Sequence, residues 1–333
     1  MNHRRLTIET ILPRIFRVEI PLPDTPLKAL NSYIITGEER SLVIDTGMNE
    51  KVCFDAMTDA LNKLGIDLDH TDFFITHSHS DHIGLVQSLA KDKSTKVFFN
   101  KPETSHVSSE AITEWAARSS IFARRNGYYR SGIRQMVAGV TKGEKRIFPR
   151  EYNIKKEGDI IDAGGYRFRI VETPGHSRGH MCLYEPATKL FISGDHVLND
   201  ITPNISSRFN DEENPLGEYI SSLDKVYALD VKMALPGHRS IITDFQGRIN
   251  ELKVHHKERL DEVLTILNKG SRNAFYVASK MTWDMTYETW EEFPIYPKWF
   301  AFSEALSHLR YLESLGKVKR LILPDQQVIY SLA

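Results

Sequence analysis

Four potential metal ligands fall within six positions in His77-Ser78-His79-Ser80-Asp81-His82, directly behind the apolar run Phe73-Phe74-Ile75. In a turn, this spacing aims alternate side chains in different directions, so His77 and His79 suit one metal while Asp81 and His82 suit a second. The cluster alone cannot close two coordination spheres. Three later segments repeat one device, a strand, a small residue and a ligand: Thr173-Pro174-Gly175-His176, Ser193-Gly194-Asp195 and Leu235-Pro236-Gly237-His238. Of the 13 histidines, seven (77, 79, 82, 176, 180, 196 and 238) sit at or beside loops that follow predicted strands. Two divalent ions held there would lower the pKa of bound water from 15.7 towards about 7 and polarise a carbonyl or phosphoryl oxygen, which is the chemistry of hydrolysis at neutral pH.

The elements that must position these residues read as an α/β layout. Residues 15–20, 32–36, 41–44, 73–76 and 96–99 are β-rich, while 50–64 has helical spacing at Val52, Phe54, Met57, Leu61 and Leu64, and 83–90 reads as a further helix. Strands resume at 159–161, 166–171, 181–184 and 190–193, then a helix over 214–228, a short strand over 231–235 and a helix over 245–268. Between them, residues 103–150 form a helical insertion with nine Lys/Arg against four Asp/Glu, interleaved with aromatic residues. A solvated amphipathic face explains that pattern, and so does a clamp for an anionic substrate in which Arg118, Arg124, Arg125, Tyr128, Tyr129 and Arg130 would take part.

With 43 Lys plus Arg against 44 Asp plus Glu, the 333-residue chain has a formal net charge of -1, which offers no overall field to draw it to nucleic acid or a membrane surface. No stretch of about 18 apolar residues occurs and the first 20 residues lack a continuous apolar core, so a cytoplasmic protein is expected. Cys53 and Cys182 are too few for a disulfide framework and read as structural thiols.

HSHSDH, TPGHSRGH, SGDH and LPGH, in this order, resemble the metal motifs of the metallo-β-lactamase superfamily over residues 14–242, and Asp45 in Leu42-Val43-Ile44-Asp45-Thr46-Gly47 matches its early aspartate. The resemblance implies a four-layer αβ/βα fold and two divalent metal ions per chain, zinc by default, with iron or manganese also accepted. It implies that His77, His79 and His176 bind one metal, that Asp81, His82 and His238 bind the other, and that Asp195 bridges them. A hydroxide shared by the metals would then attack the substrate, with Asp81 and Asp195 in the catalytic set. Asp45 and His180 are candidates for positioning, because ligating histidines need partners that fix their tautomer. His196 is either a proton donor to the leaving group or a hydrogen-bonding neighbour. His255-His256 on the helix over 245–268 reads as solvated.

Two other motifs compete for the same residues. Gly175-His176-Ser177-Arg178-Gly179 fits GxSxG, but a strand rather than a helix is predicted behind it, and Asp45-Thr46-Gly47 lacks the second carboxylate motif of an aspartic protease. TPGHSRGH is most similar to the glyoxalase II-like group of thioester hydrolases, which implies a small ester or thioester substrate. Residues 1–250 then form the catalytic domain, and 251–333 resemble the winged-helix extension of β-lactamase-like proteins, one branch of which includes a single-strand ribonuclease. A nuclease or phosphodiesterase is therefore the alternative, and a DNA-binding regulator with a hydrolase-like sensor core is a third. Residues 251–333 carry eleven Lys/Arg and eleven Asp/Glu, so the charge that dominates phosphate-backbone affinity is missing and an appended domain that packs, walls the site or forms a homodimer is favoured.

Overall fold

The computed structural model describes residues 7–333 apart from 24, 92–93, 105–108, 129–150, 208–211 and 285–286. The chain divides into two compact units, each assembled from separated stretches. The first holds Met1–His106, Phe148–Pro203 and Ser222–Ile249; the second holds Val107–Ile147, Asn204–Ser221 and Asn250–Ala333. The described residues 109–128, part of the stretch expected as a helical insertion, group with the tail, as does a short stretch that composition did not mark.

The first unit is a sandwich of two sheets. One sheet has seven strands in chain order: β1 (Ile8–Leu12), β2 (Ile15–Pro21), β3 (Ala29–Ile35), β4 (Ser41–Ile44), β5 (Thr71–Phe74), β6 (Val97–Asn100) and β7 (Asn153–Lys155). The first four pair antiparallel, and β4 to β7 run parallel. The other sheet has the order β12-β11-β10-β9-β8, from β8 (Ile160–Ala163), β9 (Tyr166–Glu172), β10 (Met181–Glu185), β11 (Leu190–Gly194) and β12 (Met233–Pro236). Tyr33, Ile44 and Phe74 from the first sheet meet Phe168, Leu183 and Ile192 from the second in one buried core. Both sheets are also covered on their outer faces, which is why β4, β5, β10 and β11 are buried at every position and their apolar residues, such as Leu42-Val43-Ile44 and Leu190-Phe191-Ile192, run together rather than alternating with polar ones. Helix α1 (Lys51–Lys63) turns Cys53, Met57, Ala60 and Leu61 inward, the i, i+4, i+7, i+8 stripe of a surface helix. On the far side, Phe245 packs on Phe191 with ring centroids 5.2 Å apart.

Most expected elements form within a residue or two of their predicted ends. The helix expected over 83–90 instead forms two single turns, α2 (Ser80–Ile83) and α3 (Val86–Leu89), because the Leu85 N–H leaves the helical ladder to donate to the Gly47 carbonyl at 3.1 Å. Strands β1 and β7 lie at the two edges of their sheet and were not anticipated; α4 (Lys101–Thr104) follows β6 directly.

The second unit is mainly helical. It draws on α5 (Ser109–Arg125), parts of α6 (Pro215–Tyr227) and α7 (Phe245–Leu267), then α8 (Ala274–Lys280), α9 (Ile295–Ser314) and an antiparallel hairpin of β13 (Val318–Ile322) and β14 (Val328–Leu332). Helix α9 is buried almost all round from Lys298 to Leu312, the pattern of a central helix. Its Phe302, Leu306 and Leu309 share a core with Phe122, Val263, Val277 and Tyr330. That packing overturns one expectation. His256 is buried rather than solvated, because the face of α7 that carries it meets α9, and His256 Nδ1 lies 3.2 Å from His308 Nε2. No described helix is long and apolar enough to cross a membrane.

Candidate metal centre

Strand direction gathers the ligands. β4 and β5 are parallel, β11 and β12 are parallel, and β9 runs with them because each is antiparallel to β10. Asp45 follows β4, His77 to His82 follow β5, His176 follows β9, Asp195 follows β11 and His238 follows β12. All therefore leave carboxyl-terminal strand ends, the edge of an α/β sheet where polar side chains converge without interrupting a ladder.

Three nitrogens meet at the first donor group. His77 Nε2 lies 2.9 Å from His79 Nδ1, and His176 Nε2 lies 3.0 Å from His79 Nδ1 and 3.3 Å from His77 Nε2. Nitrogens about 2.0–2.1 Å from a tetrahedrally coordinated ion stand roughly 3.3–3.4 Å apart, so the triangle is near that size, with two of its edges a few tenths of an ångström short. The second group is Asp81, His82 and His238, with His238 Nε2 3.3 Å and His82 Nε2 3.8 Å from Asp81 Oδ2. Asp195 stands between the two. Its Oδ2 is 3.6 Å from His176 Nε2 and 3.5 Å from His82 Nε2, while its Oδ1 is 3.5 Å from His238 Nε2. His82 Nε2, His238 Nε2 and Asp195 Oδ1 are buried and make no hydrogen bond. Buried polar atoms left this way cost several kcal/mol unless something else satisfies them, and imidazole with carboxylate is the donor set that divalent cations take. The residues fit two such ions.

Hydrogen bonds on the far side of each ring set the ligand tautomers. His82 Nδ1 is 2.7 Å from Asp45 Oδ2, and His238 Nδ1 is 2.8 Å from the Ala29 carbonyl, so both rings turn Nε2 inward as the atom that would bind a metal. Asp45 also accepts from Thr76 N at 2.9 Å and Thr76 Oγ1 at 2.8 Å, which fixes the chain just before His77. His180 does not point into either group. Its Nε2 accepts the Asp195 N–H at 3.1 Å and its Nδ1 donates to Thr173 Oγ1 at 2.8 Å, and Thr173 continues through Cys182 Sγ to the Ser193 carbonyl. This closed circuit holds the turn that presents Asp195. Asn31 Nδ2 donates to the Pro236 and Arg239 carbonyls and Tyr33 Oη to Pro236, fixing the His238 loop. Gly237 is required there, since a Cβ would lie 2.6 Å from Asp195 Oδ1.

Electrostatics divide the two groups. Burial, with the neighbouring His82, His79 and His176 rings, holds His77 far below the usual histidine range. Burial with the His176 ring brings His79, whose side chain still reaches solvent, down to about 4. Burial also works against charge on His82, but Asp45, Asp195 and Asp81 overcome it and raise that ring well above its usual range. His238 rises to about 10 for the same reason, burial being outweighed by Asp195 and Asp81. Asp195 sits well below the carboxylate range, the His238 and His82 charges outweighing burial.

The remaining candidates fall elsewhere. His196 is fully buried and stands outside the donor groups; burial, only partly offset by the Ser222 backbone, lowers it to about 3. The loop from Thr173 to His180 joins antiparallel β9 and β10, so Ser177 occupies no strand-to-helix elbow. Arg118 is exposed and paired with Glu114, Arg124 is exposed, and Arg125 Nε donates to the Gln326 carbonyl at 3.3 Å, all within the second unit. Tyr128 is 2% exposed and stacks on Phe275 with centroids 4.6 Å apart, which makes it a core residue. Tyr129 and Arg130 lie outside the described residues. Glu103 was missed; it is fully buried and bonded to Ser78 and Gly179 beside the first donor group.

The family model described as the metallo-beta-lactamase superfamily matches residues 26–238. Among curated proteins, an atrochrysone carboxyl ACP thioesterase of Aspergillus novofumigatus is 25% identical over 80% of this chain and 66% of its own length. A probable metallo-hydrolase of Bacillus subtilis, YqjP, is 25% identical over 85% of this chain and 87% of its own. The chain thus spans somewhat under two thirds of the fungal thioesterase and most of the bacterial protein. Among solved structures, a metallo-beta-lactamase family protein of Thermus thermophilus superposes with a TM-score of 0.79 at 26% identity, covering 97% of this chain and 100% of that one. A beta-lactamase domain protein of Burkholderia ambifaria gives 0.84 at 24% identity, over 98% and 94%.

Proposed function

Because the chain belongs to the metallo-β-lactamase superfamily, we propose that it is a metal-dependent hydrolase of thioesters that holds two divalent metal ions. The observation that carries this reading is the placement of Asp195, whose Oδ2 lies 3.6 Å from His176 Nε2 of the first donor group and 3.5 Å from His82 Nε2 of the second, while its Oδ1 lies 3.5 Å from His238 Nε2, also of the second. A carboxylate so placed serves two cations at once. When bound, the ions would supply an acidified water and a Lewis acid for the scissile carbonyl. The protein's own part is positional: Asp45 and the Ala29 carbonyl aim His82 and His238, and His180 holds the Asp195 turn.

The thioester assignment rests on the kinship with proteins named ACP thioesterases and on the similarity of TPGHSRGH to the glyoxalase II-like group. Zinc is the metal we assign, since the site is rich in imidazole. His196, buried and low in pKa, is a structural neighbour of Asp195 and not the donor to the leaving group. We read the second unit, with its helices followed by a hairpin, as a winged-helix-like domain whose balanced charge suits packing better than nucleic acid binding.

The test is elemental analysis of the wild type and of Asp195→Ala, with assays on an acyl-glutathione thioester, an acyl-pantetheine thioester, a lactone, a phosphodiester and single-stranded RNA. About two metals per chain, lost in part in the variant, with hydrolysis of a thioester that a chelator abolishes, is the expected result. Cleavage of RNA alone would replace the reading with a nuclease, and a wild type that takes up no metal would end it.

A further inference from the structure

Glu103 is fully buried in α4, directly after β6. Its Oε2 accepts from the Ser78 N–H at 2.9 Å and from Ser78 Oγ, and its Oε1 accepts from the Gly179 N–H at 2.6 Å. Ser78 lies between His77 and His79; Gly179 closes the loop that carries His176. One carboxylate therefore ties together the two backbone segments that supply all three ligands of the first donor group, and Glu103's bonds to Ser78 and Gly179 go to neither Asp81, His82 nor His238. Gly179 is matched to this contact, since a Cβ there would stand 3.0 Å from Glu103 Cγ. Because every partner is a donor, the carboxylate is needed in its ionised form. Burial alone would favour protonation, but the bonds from Ser78 and Gly179 outweigh it and keep Glu103 below the usual carboxylate range.

We propose that Glu103 is a positioning residue that sets the metal affinity of the His77/His79/His176 group selectively, by fixing the separation of its two ligand-bearing loops. The proposal rests on the metal-dependent reading of this site. Its logic is that of outer-shell groups generally: a ligand triangle held at the right size before the ion arrives loses less order on binding. A residue that merely stabilised the fold would not distinguish one donor group from the other.

Glu103→Gln keeps size and shape but replaces one accepting oxygen with an amide NH2, so either Ser78 or Gly179 must face donor to donor. The metal-free protein would be titrated with zinc against a chromophoric chelator, and separately with cobalt(II), whose visible absorption reports coordination geometry. The expected outcome is roughly 10–100-fold weaker binding at one of the two sites, a changed cobalt spectrum for that site, and a second site within about threefold of wild type. Ser78→Ala, which keeps both backbone N–H bonds to Glu103, would shift the same site in the same direction by less, and guards against a misfolded Gln variant. Wild-type affinity at both sites in Glu103→Gln, or equal losses at both, would overturn the proposal. A wild type that binds two metals but cleaves no thioester would leave it standing, whereas a wild type that binds none would remove it together with the metal reading.

Discussion

Asp45 Oδ2 stands 2.7 Å from His82 Nδ1 and 2.8 Å from Thr76 Oγ1, so a single carboxylate aims a ligand of one donor group and anchors the strand end that carries the other. In Asp45→Asn an amide NH2 must face either the His82 ring N–H or the Thr76 N–H, and both are donors. The His82 proton then moves to Nε2, where a metal should bind. Metal affinity at the Asp81/His82/His238 group is expected to fall roughly 10–100-fold, with kcat/KM falling alongside. Chelator competition on the purified variant measures the first quantity and steady-state kinetics the second; an unaltered affinity would show that Asp45 does not set the tautomer.

Metal uptake should depend on pH differently at the two groups. His79, near 4, and His77, held well below the usual histidine range, are neutral donors at pH 6 to 8, whereas His82 is raised and His238 stands at about 10. A metal entering the Asp81/His82/His238 group must displace protons from both rings, so its affinity rises with pH and is lost as pH falls. In the metal-free protein the sign reverses. A raised histidine contributes stability that is full below its unfolded pKa of about 6.5 and fades as pH climbs through the folded value. Calorimetric titration in buffers of different ionisation enthalpy at pH 6 and 8 would count the protons. One metal loading without proton release and a second with release is the expected pattern; equal release at both steps would contradict it.

Tyr128 was a candidate substrate contact and is a core residue of the second unit, stacked on Phe275 and tilted against Trp299 and Phe302. Tyr128→Ala should cost about 3–5 kcal/mol, the usual loss for emptying a large aromatic site. Denaturant unfolding measures it. The folded fraction at low temperature should keep the wild-type KM, and a KM raised tenfold without loss of stability would restore the substrate role.

Glu304 is buried on α9, where Asn204 Nδ2 donates to its Oε2 at 2.6 Å. Burial pushes its pKa up to about 7, against the pull of Arg259 and Asn204. The unfolded chain releases that proton near 4.5, so the fold is progressively penalised as pH rises from 4.5 to 7. Glu304→Gln removes the penalty. A melting midpoint roughly 2–6 °C higher than wild type at pH 8, and no gain at pH 4.5, is expected; an equal shift at both would rule out ionisation as the cause.

His176, Asp195 and His238 were legible because each follows a strand through a glycine, and such sharp turns leave a local signature in Pro-Gly-His or Ser-Gly-Asp, while His77, His79, Asp81 and His82 stood out by crowding six positions behind an apolar run. Glu103 had no such signature: its partners are backbone groups at 78 and 179, which no side-chain pattern encodes. His256 was misread because a helix with polar residues on one face looks solvated until a second helix, α9, is known to cover it. The edge strands escaped notice for a related reason. Ile8–Leu12 carries one partner strand and Asn153–Lys155 has three residues, so neither needs the long apolar run that marks a buried strand. Core strands and helix α1 could be read because one physical demand, burial of a face, governs every residue in them.

The second unit is collected from three separated stretches, of which the last is Asn250–Ala333. A ribosome releases Phe122, Ala123 and Tyr128 long before it releases Trp299, Phe302 and Tyr330, the residues they are buried among. Those early aromatic surfaces must wait, unsheltered, for about half the length of the chain to be made, while β1 to β6 of the first unit are already out. Exposed apolar surface of this kind is what makes a partly made chain prone to aggregate, and a stop codon placed near residue 250 would leave the core of the second unit without most of its walls.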